Sequence, residues 1–235
     1  MWPFDRQAAL GGSGVFRGFT DWHSHILPGV DDGVQTMDEA LAILAEYEKA
    51  GVGKVWLTPH IMEDMPNTPA DLKERFEILK SEYDGNITLH LSAENMLDPL
   101  FEERLDSGDL LPYGRDCNML LVETSYFNPP VDLYTMLDRI RAKGYFPVLA
   151  HPERYAYMSE NEYDRLKRDG IYFQVNLPSL TGFYGSSVRK KAGWLLKKGY
   201  ADMFGTDIHS LRLFRNVIGT KLSSKTISYI KKNKF

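Results

Sequence analysis

DWHSHILPGVDDG, residues 21–33, sets two histidines and three aspartates directly behind a short apolar run, VFRGF at 15–19. In an extended segment, residues two apart project to the same side. His23 and His25 can therefore address one point from the end of a strand. The same spacing recurs near the other end of the chain as Asp207 and His209, in GTDIHS at 205–210.

Outward from this stretch, strand-like apolar runs alternate with helix-like amphipathic ones. The strands are expected at 16–22, 54–58, 87–93, 118–123, 145–150, 171–175 and 201–205. Helices are expected at 36–50, 69–83, 130–143, 159–169 and 186–198. Thr36 is placed to cap the first of these with Glu39 three residues on, and KKG at 197–199 is a stop signal for the last. Such alternation implies a parallel sheet, either a closed or nearly closed α/β barrel or an open doubly wound sheet. Metal-type residues decide for the barrel. His23 and His25 follow the first strand, His60 the second, Glu94 the third, Glu123 the fourth, His151 the fifth, and Asp207 with His209 the seventh. In a barrel those ends share one rim.

The 235 residues lack repeats, low-complexity blocks and linker-like stretches, so one domain over 18–235 behind an arm at 1–17 is expected. A net charge of −4 disfavours a general nucleic-acid binder, whose affinity rests on clustered Lys and Arg. No apolar run suggests membrane insertion, and the start of the chain lacks the pattern of a secretory signal. With one cysteine no internal disulfide can form, and the cytoplasm is the expected compartment.

Any one of these histidines alone reads as a hydrogen-bonded structural residue. Five of the six at strand ends read as ligands; the sixth, His90, is inside a strand and is expected to face the helix layer. Imidazole and carboxylate suit Mn, Fe or Zn, and the number of donors suits two or three ions. Asp31 reads as a turn residue. Thiol chemistry is excluded by spacing: the residue six after Cys117 is Glu123, where an arginine would have to cradle phosphate, so Cys117 is expected to be a small buried residue. Neither a phosphate-binding Gly-rich loop nor a nucleophile elbow occurs. Arg154, beside His151 in HPERY at 151–155, pairs with Glu153 or serves an anionic substrate; Arg212 and Arg215 pose the same choice. The C-terminal SYIKKNKF reads as a solvated helix face.

DWHSH, TPH (58–60), AEN (93–95), VET (122–124), AHPERY (150–155) and GTDIHS together resemble the polymerase-and-histidinol-phosphatase (PHP) superfamily. The run HSHILPGVDDG with TPH and AHPERY is most similar to its bacterial metal-dependent protein-tyrosine phosphatase branch, associated with capsular and exopolysaccharide synthesis. The resemblance spans residues 19–215. It implies a distorted (β/α)7-type TIM-like barrel with a trinuclear centre. One metal would take His23, His25, Glu94 and Asp207; a second would share Glu94 and add Glu123 and His151; a third would take Asp32, His60 and His209. AEN departs from the usual sequence after that glutamate. Arg154 would contact phosphate, and Arg212 and Arg215 straddle the place of a second family arginine. The implied reaction is hydrolysis of phosphotyrosine by a metal-bound hydroxide, the substrate a tyrosine-rich tail of a membrane-associated bacterial tyrosine kinase; a homo-oligomer is open. A small-molecule phosphoesterase such as histidinol phosphatase and a catalytically silent kinase-binding module are the competing readings.

Overall fold

A computed structural model describes residues 6–233. The elements in chain order are β1 (Gln7–Ala9), β2 (Phe19–Asp21), α1 (Met37–Ala50), β3 (Val52–Leu57), β4 (His60–Ile61), α2 (Pro69–Glu82), β5 (Thr88–Leu91), β6 (Glu94–Met96), α3 (Pro99–Ser107), β7 (Met119–Glu123), α4 (Leu133–Ala142), β8 (Phe146–Ala150), α5 (Glu160–Arg168), β9 (Tyr172–Asn176), α6 (Leu177–Thr181), α7 (Ser186–Lys198), β10 (Met203–Gly205), α8 (Leu211–Gly219), β11 (Lys221–Ser223) and α9 (Ser224–Lys232).

The fold is α/β. A curled parallel sheet runs β10-β9-β8-β7-β6-β4, and a second parallel sheet runs β2-β3-β5. Backbone bonds carry the pairing onward where β3 bends into β4 and β5 into β6: Thr58 N–H to Ser24 O at 2.9 Å, Ser92 N–H to Leu57 O at 2.9 Å, and Glu94 N–H to Pro59 O at 3.0 Å. At the other edge Trp22 N–H donates to Phe204 O (3.2 Å), Asp207 N–H to His23 O (2.8 Å) and His25 N–H to Ile208 O (3.0 Å). Gly205 permits that approach, because an added Cβ would lie 2.5 Å from the Cβ of His23.

Period-2 alternation sorts the strand residues into two cores. Leu89 and Leu91 pack outward with the helix layer, whereas Trp56, Tyr113, Leu121, Val148 and Met203 form a separate cluster inside the curl. His90 stacks on Trp56, ring centroids 4.6 Å apart, instead of facing the helices. Thr36 caps α1 by accepting the Glu39 N–H, while the Glu39 side chain reaches away to Leu211 N–H. Gly199 ends α7 in the left-handed conformation.

Of the segment read as an arm, residues 1–5 lie outside the described residues; within 6–17, β1 pairs antiparallel with β11, and Leu10, Val15 and Phe16 are fully buried. Two expectations besides that for His90 change. Cys117 is exposed, in a left-handed turn at φ 48°. The C-terminal helix α9 is only half solvated, since Ile227 and Ile230 are buried. Helices α3, α6 and α8 fall outside the expected ranges; Pro99 at the start of α3 and Asp98 as its cap are the local signals for the first.

Candidate metal centre

The C-terminal ends of the parallel strands carry a buried cluster of ligand-type side chains. His23, His25, Glu94, Glu123, His151 and Asp207 have at most 2% of their surface exposed. Two of them, His151 (φ 32°) and Asp207 (φ 51°), are in the left-handed region, which costs a residue with a Cβ on the order of 1–3 kcal/mol. Packing around the site holds both turns.

The innermost contacts converge on one point. His23 Nε2 lies 3.0 Å from His25 Nε2, 3.1 Å from Glu94 Oε2 and 3.5 Å from Asp207 Oδ1. His25 Nε2 lies 3.2 Å and 3.4 Å from the same two oxygens. A proton can bridge only one pair among four such atoms, whereas a cation accepts all of their lone pairs. Each ring is oriented from behind. His23 Nδ1 is 2.8 Å from Gln174 Oε1, and His25 Nδ1 is 2.7 Å from Asp31 Oδ2. Such backing of the far ring nitrogen is the usual support of a metal-bound histidine.

Glu94 and Glu123 extend the cluster. His151 Nε2 is 2.9 Å from Glu94 Oε1 and 3.7 Å from Glu123 Oε2. His60 Nδ1 is 3.1 Å from Glu123 Oε1 and 3.2 Å from Glu94 Oε2, yet makes no directed hydrogen bond. A buried nitrogen among carboxylate oxygens without a directed bond matches a ligand for a cation between them. The outer corner holds Asp32, whose Oδ1 is 3.5 Å from both His60 Nε2 and His209 Nε2; its side chain is 62% exposed. Among the described residues, donor atoms that could share an ion fall into four groups: His25, Asp32, His60 and His209; His23, His25 and Asp207; His23, Glu94 and His151; His60, Glu94 and Glu123. The residues fit divalent metals with N/O ligands, and no thiolate is present to select a softer ion.

Without a cation the charges compensate one another. Burial alone would lower the histidines, but Glu94 and Asp207 push His23 up to about 9, Glu94 and Glu123 push His60 up to about 10, and Asp32 with Asp207 pushes His209 up to about 9. Burial would likewise raise Glu94 and Asp207, but the surrounding histidines hold both below the ordinary carboxylate range.

A cavity of about 350 Å³ opens over the cluster, lined on its outer side by Tyr126, Arg154, Phe183, Tyr184 and Leu213. Arg154 is held from three sides. Its Nη1 donates to Asp207 Oδ2 at 3.0 Å, and its guanidinium lies 4.2 Å from the Tyr126 ring centroid and 4.4 Å from that of Tyr184. Glu153, the alternative partner, is buried facing the Asn176 N–H. Arg212 and Arg215 are exposed on α8, and Arg215 lies 3.5 Å from Glu46. Arg154 is the one arginine among the described residues lining the cavity.

Sequence reasoning passed over Asp31, Gln174, Asn176, Tyr126 and Tyr184. Asp31 is no simple turn residue: its carboxylate has no exposed surface, and besides His25 it receives Gly33 N–H at 3.0 Å and His60 N–H at 3.1 Å. Asn176 Nδ2 donates to Asp207 Oδ2 at 2.6 Å. The DD pair at 31–32 was the one available signal, a second carboxylate behind a ligand candidate.

The profile of the family described as Capsular polysaccharide synthesis, CpsB/CapC matches residues 19–223. The tyrosine-protein phosphatase CpsB of Streptococcus pneumoniae is 32% identical over 205 residues, covering 81% of this chain and 83% of that protein. The tyrosine-protein phosphatase YwqE of Bacillus subtilis (strain 168) is 27% identical over 198 residues, covering 82% and 78%. Among solved structures, one from a study of YwqE of B. subtilis and CpsB of S. pneumoniae, described as metal-dependent tyrosine phosphatases, superposes with a TM-score of 0.75 at 22% identity, covering 92% of this chain and 95% of that one. At that identity the superposition speaks for the fold. By the family match across most of its length, together with the relative at 32% identity, the chain belongs to the CpsB/CapC family.

Proposed function

We propose that the chain is a metal-dependent protein-tyrosine phosphatase of capsular or exopolysaccharide synthesis, hydrolysing phosphotyrosine to tyrosine and inorganic phosphate. The observation that carries this reading is the convergence of His23, His25, Glu94 and Asp207 on one point beneath a cavity guarded by Arg154. The names of the CpsB and YwqE relatives support it.

The proposed ligands are His23, His25, Glu94 and Asp207 for one ion; Glu94, Glu123 and His151 for a second; Asp32, His60 and His209 for a third, with Mn, Fe or Zn as the metals. His60 also faces Glu94 and Glu123, which suits a position between the second and third ions. Divalent ions there would supply Lewis-acid stabilisation of phosphate charge and bring the pKa of water toward neutrality. The chain's own part is positioning. Asp207 Oδ2 and the faces of Tyr126 and Tyr184 fix the guanidinium plane of Arg154, leaving its remaining N–H groups for phosphate oxygens. Phe183, 53% exposed, gives the cavity mouth an apolar wall suited to the phenyl ring of the substrate. Arg212 and Arg215 would reach phosphate only by swinging in from the surface.

For the scaffold we propose full closure as a distorted (β/α)7 barrel. The bonds joining β2 to the β10 edge, and the bends from β3 into β4 and β5 into β6, support it. The proposed substrate is the tyrosine-rich tail of a membrane-associated bacterial tyrosine kinase, met in the cytoplasm. No helix among the described residues is long and apolar enough to cross a membrane. Elemental analysis of purified protein, with anomalous scattering from its crystals, tests the centre: two or three ions on these ligands are expected, and a metal-replete preparation with none there overturns the assignment.

A further inference from the structure

A second cavity, of about 860 Å³, opens at the opposite, N-terminal ends of the strands. The rings of Trp22, Trp56 and Tyr113 lie between it and the metal centre: Trp22 and Trp56 stack with centroids 6.0 Å apart and planes 10° apart, and Tyr113 meets both edge-on at 5.7 and 5.5 Å. The stack continues into the cavity through His90, whose ring lies on Trp56 at 21° between planes. Burial, and then the nearby charge of Lys54, hold His90 below its ordinary pKa.

The interior of a strand barrel is ordinarily filled by layers of side chains. Here the positions two residues before Trp22 and Trp56 are Thr20 and Lys54, both lining the cavity, and Trp22, His90 and Tyr172 are only partly buried. The volume lies within the roughly 300–1,000 Å³ of small-ligand sites. Lys54 and Arg115 line the cavity; among the described residues neither enters an ion pair, and Asp116 is the one acidic residue in the lining. Flat rings beside two cations that outnumber the single carboxylate complement a ligand that is planar and aromatic at one end and anionic at the other.

We infer that this cavity is a nucleotide site, the base packing against the Trp22–Trp56–His90 stack and the phosphate held by Lys54 and Arg115. Asp116 and Asn118, at the same opening, offer acceptors and donors for sugar hydroxyls or the base edge. The site is independent of the phosphatase reading, since it shares no lining residue with the metal-centre cavity.

The test is calorimetric titration of the full chain with AMP and with UMP, on metal-loaded and on chelator-treated protein. One nucleotide per chain is expected, in both metal states. Ribose 5-phosphate, which lacks the ring, should bind at least tenfold more weakly. The double variant Lys54→Glu/Arg115→Glu, on exposed positions, should weaken the nucleotide at least tenfold while releasing phosphate from a phosphotyrosine peptide at the wild-type rate. His90→Ala, which keeps the cations, should weaken it severalfold. The inference is overturned if neither nucleotide saturates, if binding is lost on chelator treatment, or if both variants bind as the wild type does.

Discussion

Replacing Asp31 by asparagine keeps the shape of the side chain and removes its charge. Burial by itself would raise this carboxyl, but the charge and hydrogen bond of His25, the Gly33 N–H and the charge of His60 outweigh burial and hold it at about 2, against an ordinary 3.8. At about 1.36 kcal/mol per unit the difference corresponds to about 2 kcal/mol. Because the folded pKa is depressed, that stability is present above about pH 4 and is lost as the pH falls toward 2. Asp31→Asn should therefore lower the unfolding free energy of metal-free protein at pH 7 by about 2 kcal/mol and flatten its acid limb between pH 4 and 2. It should also weaken metal binding, since loss of the group behind a ligating histidine costs roughly 10–100-fold in affinity. Denaturant melts across that pH range, with chelator competition for metal affinity, read both effects. A variant that binds metal within a factor of two of wild type would refute the role assigned to Asp31.

Arg154→Lys should lower kcat/KM for a phosphotyrosine peptide by about 100-fold at unchanged metal content, because an ammonium cannot reproduce a planar fork held between two rings; steady-state kinetics with metal analysis check it. Phe183→Ala should raise KM for phosphotyrosine peptides by about fivefold to tenfold, worth about 1 kcal/mol of ring contact, with little change for a small alkyl phosphate. In metal-free protein the raised pKa values of His23 (about 9), His60 (about 10) and His209 (about 9) contribute stability that is complete below about pH 6.5 and lost as the pH rises through 9 to 10. The melting temperature of chelated protein should fall across that window while that of loaded protein holds. Loading at pH 7.5 should release protons, seen as a calorimetric heat that changes with the ionisation enthalpy of the buffer.

The parts of this architecture legible in the sequence are the local ones. Period-2 spacing put His23 with His25, and the alternation of strand and helix put the other ligand types at strand ends; Asp207, in a left-handed turn, groups with His23 and His25 and not with His209. The rest depends on contacts across long separations. Gln174 backs His23 from 151 residues away, and Arg154 meets Asp207 from 53. No local pattern marks a glutamine or a tyrosine for such a role. Asp31 was misread because a carboxylate that receives the N–H two residues on is also what an ordinary turn looks like. His90 was misread because an alternating strand has two buried faces here, and only the packed structure says that Leu89 and Leu91 take the helix side.

The most direct measurement is phosphate release from a phosphotyrosine peptide by purified protein, before chelation, after it, and with Mn, Fe or Zn restored, with His151→Ala in parallel. Activity that disappears on chelation, returns with metal and is absent from the folded variant is the predicted result. Full activity in chelated protein or in His151→Ala, or none in wild type with verified metal occupancy, would contradict the account.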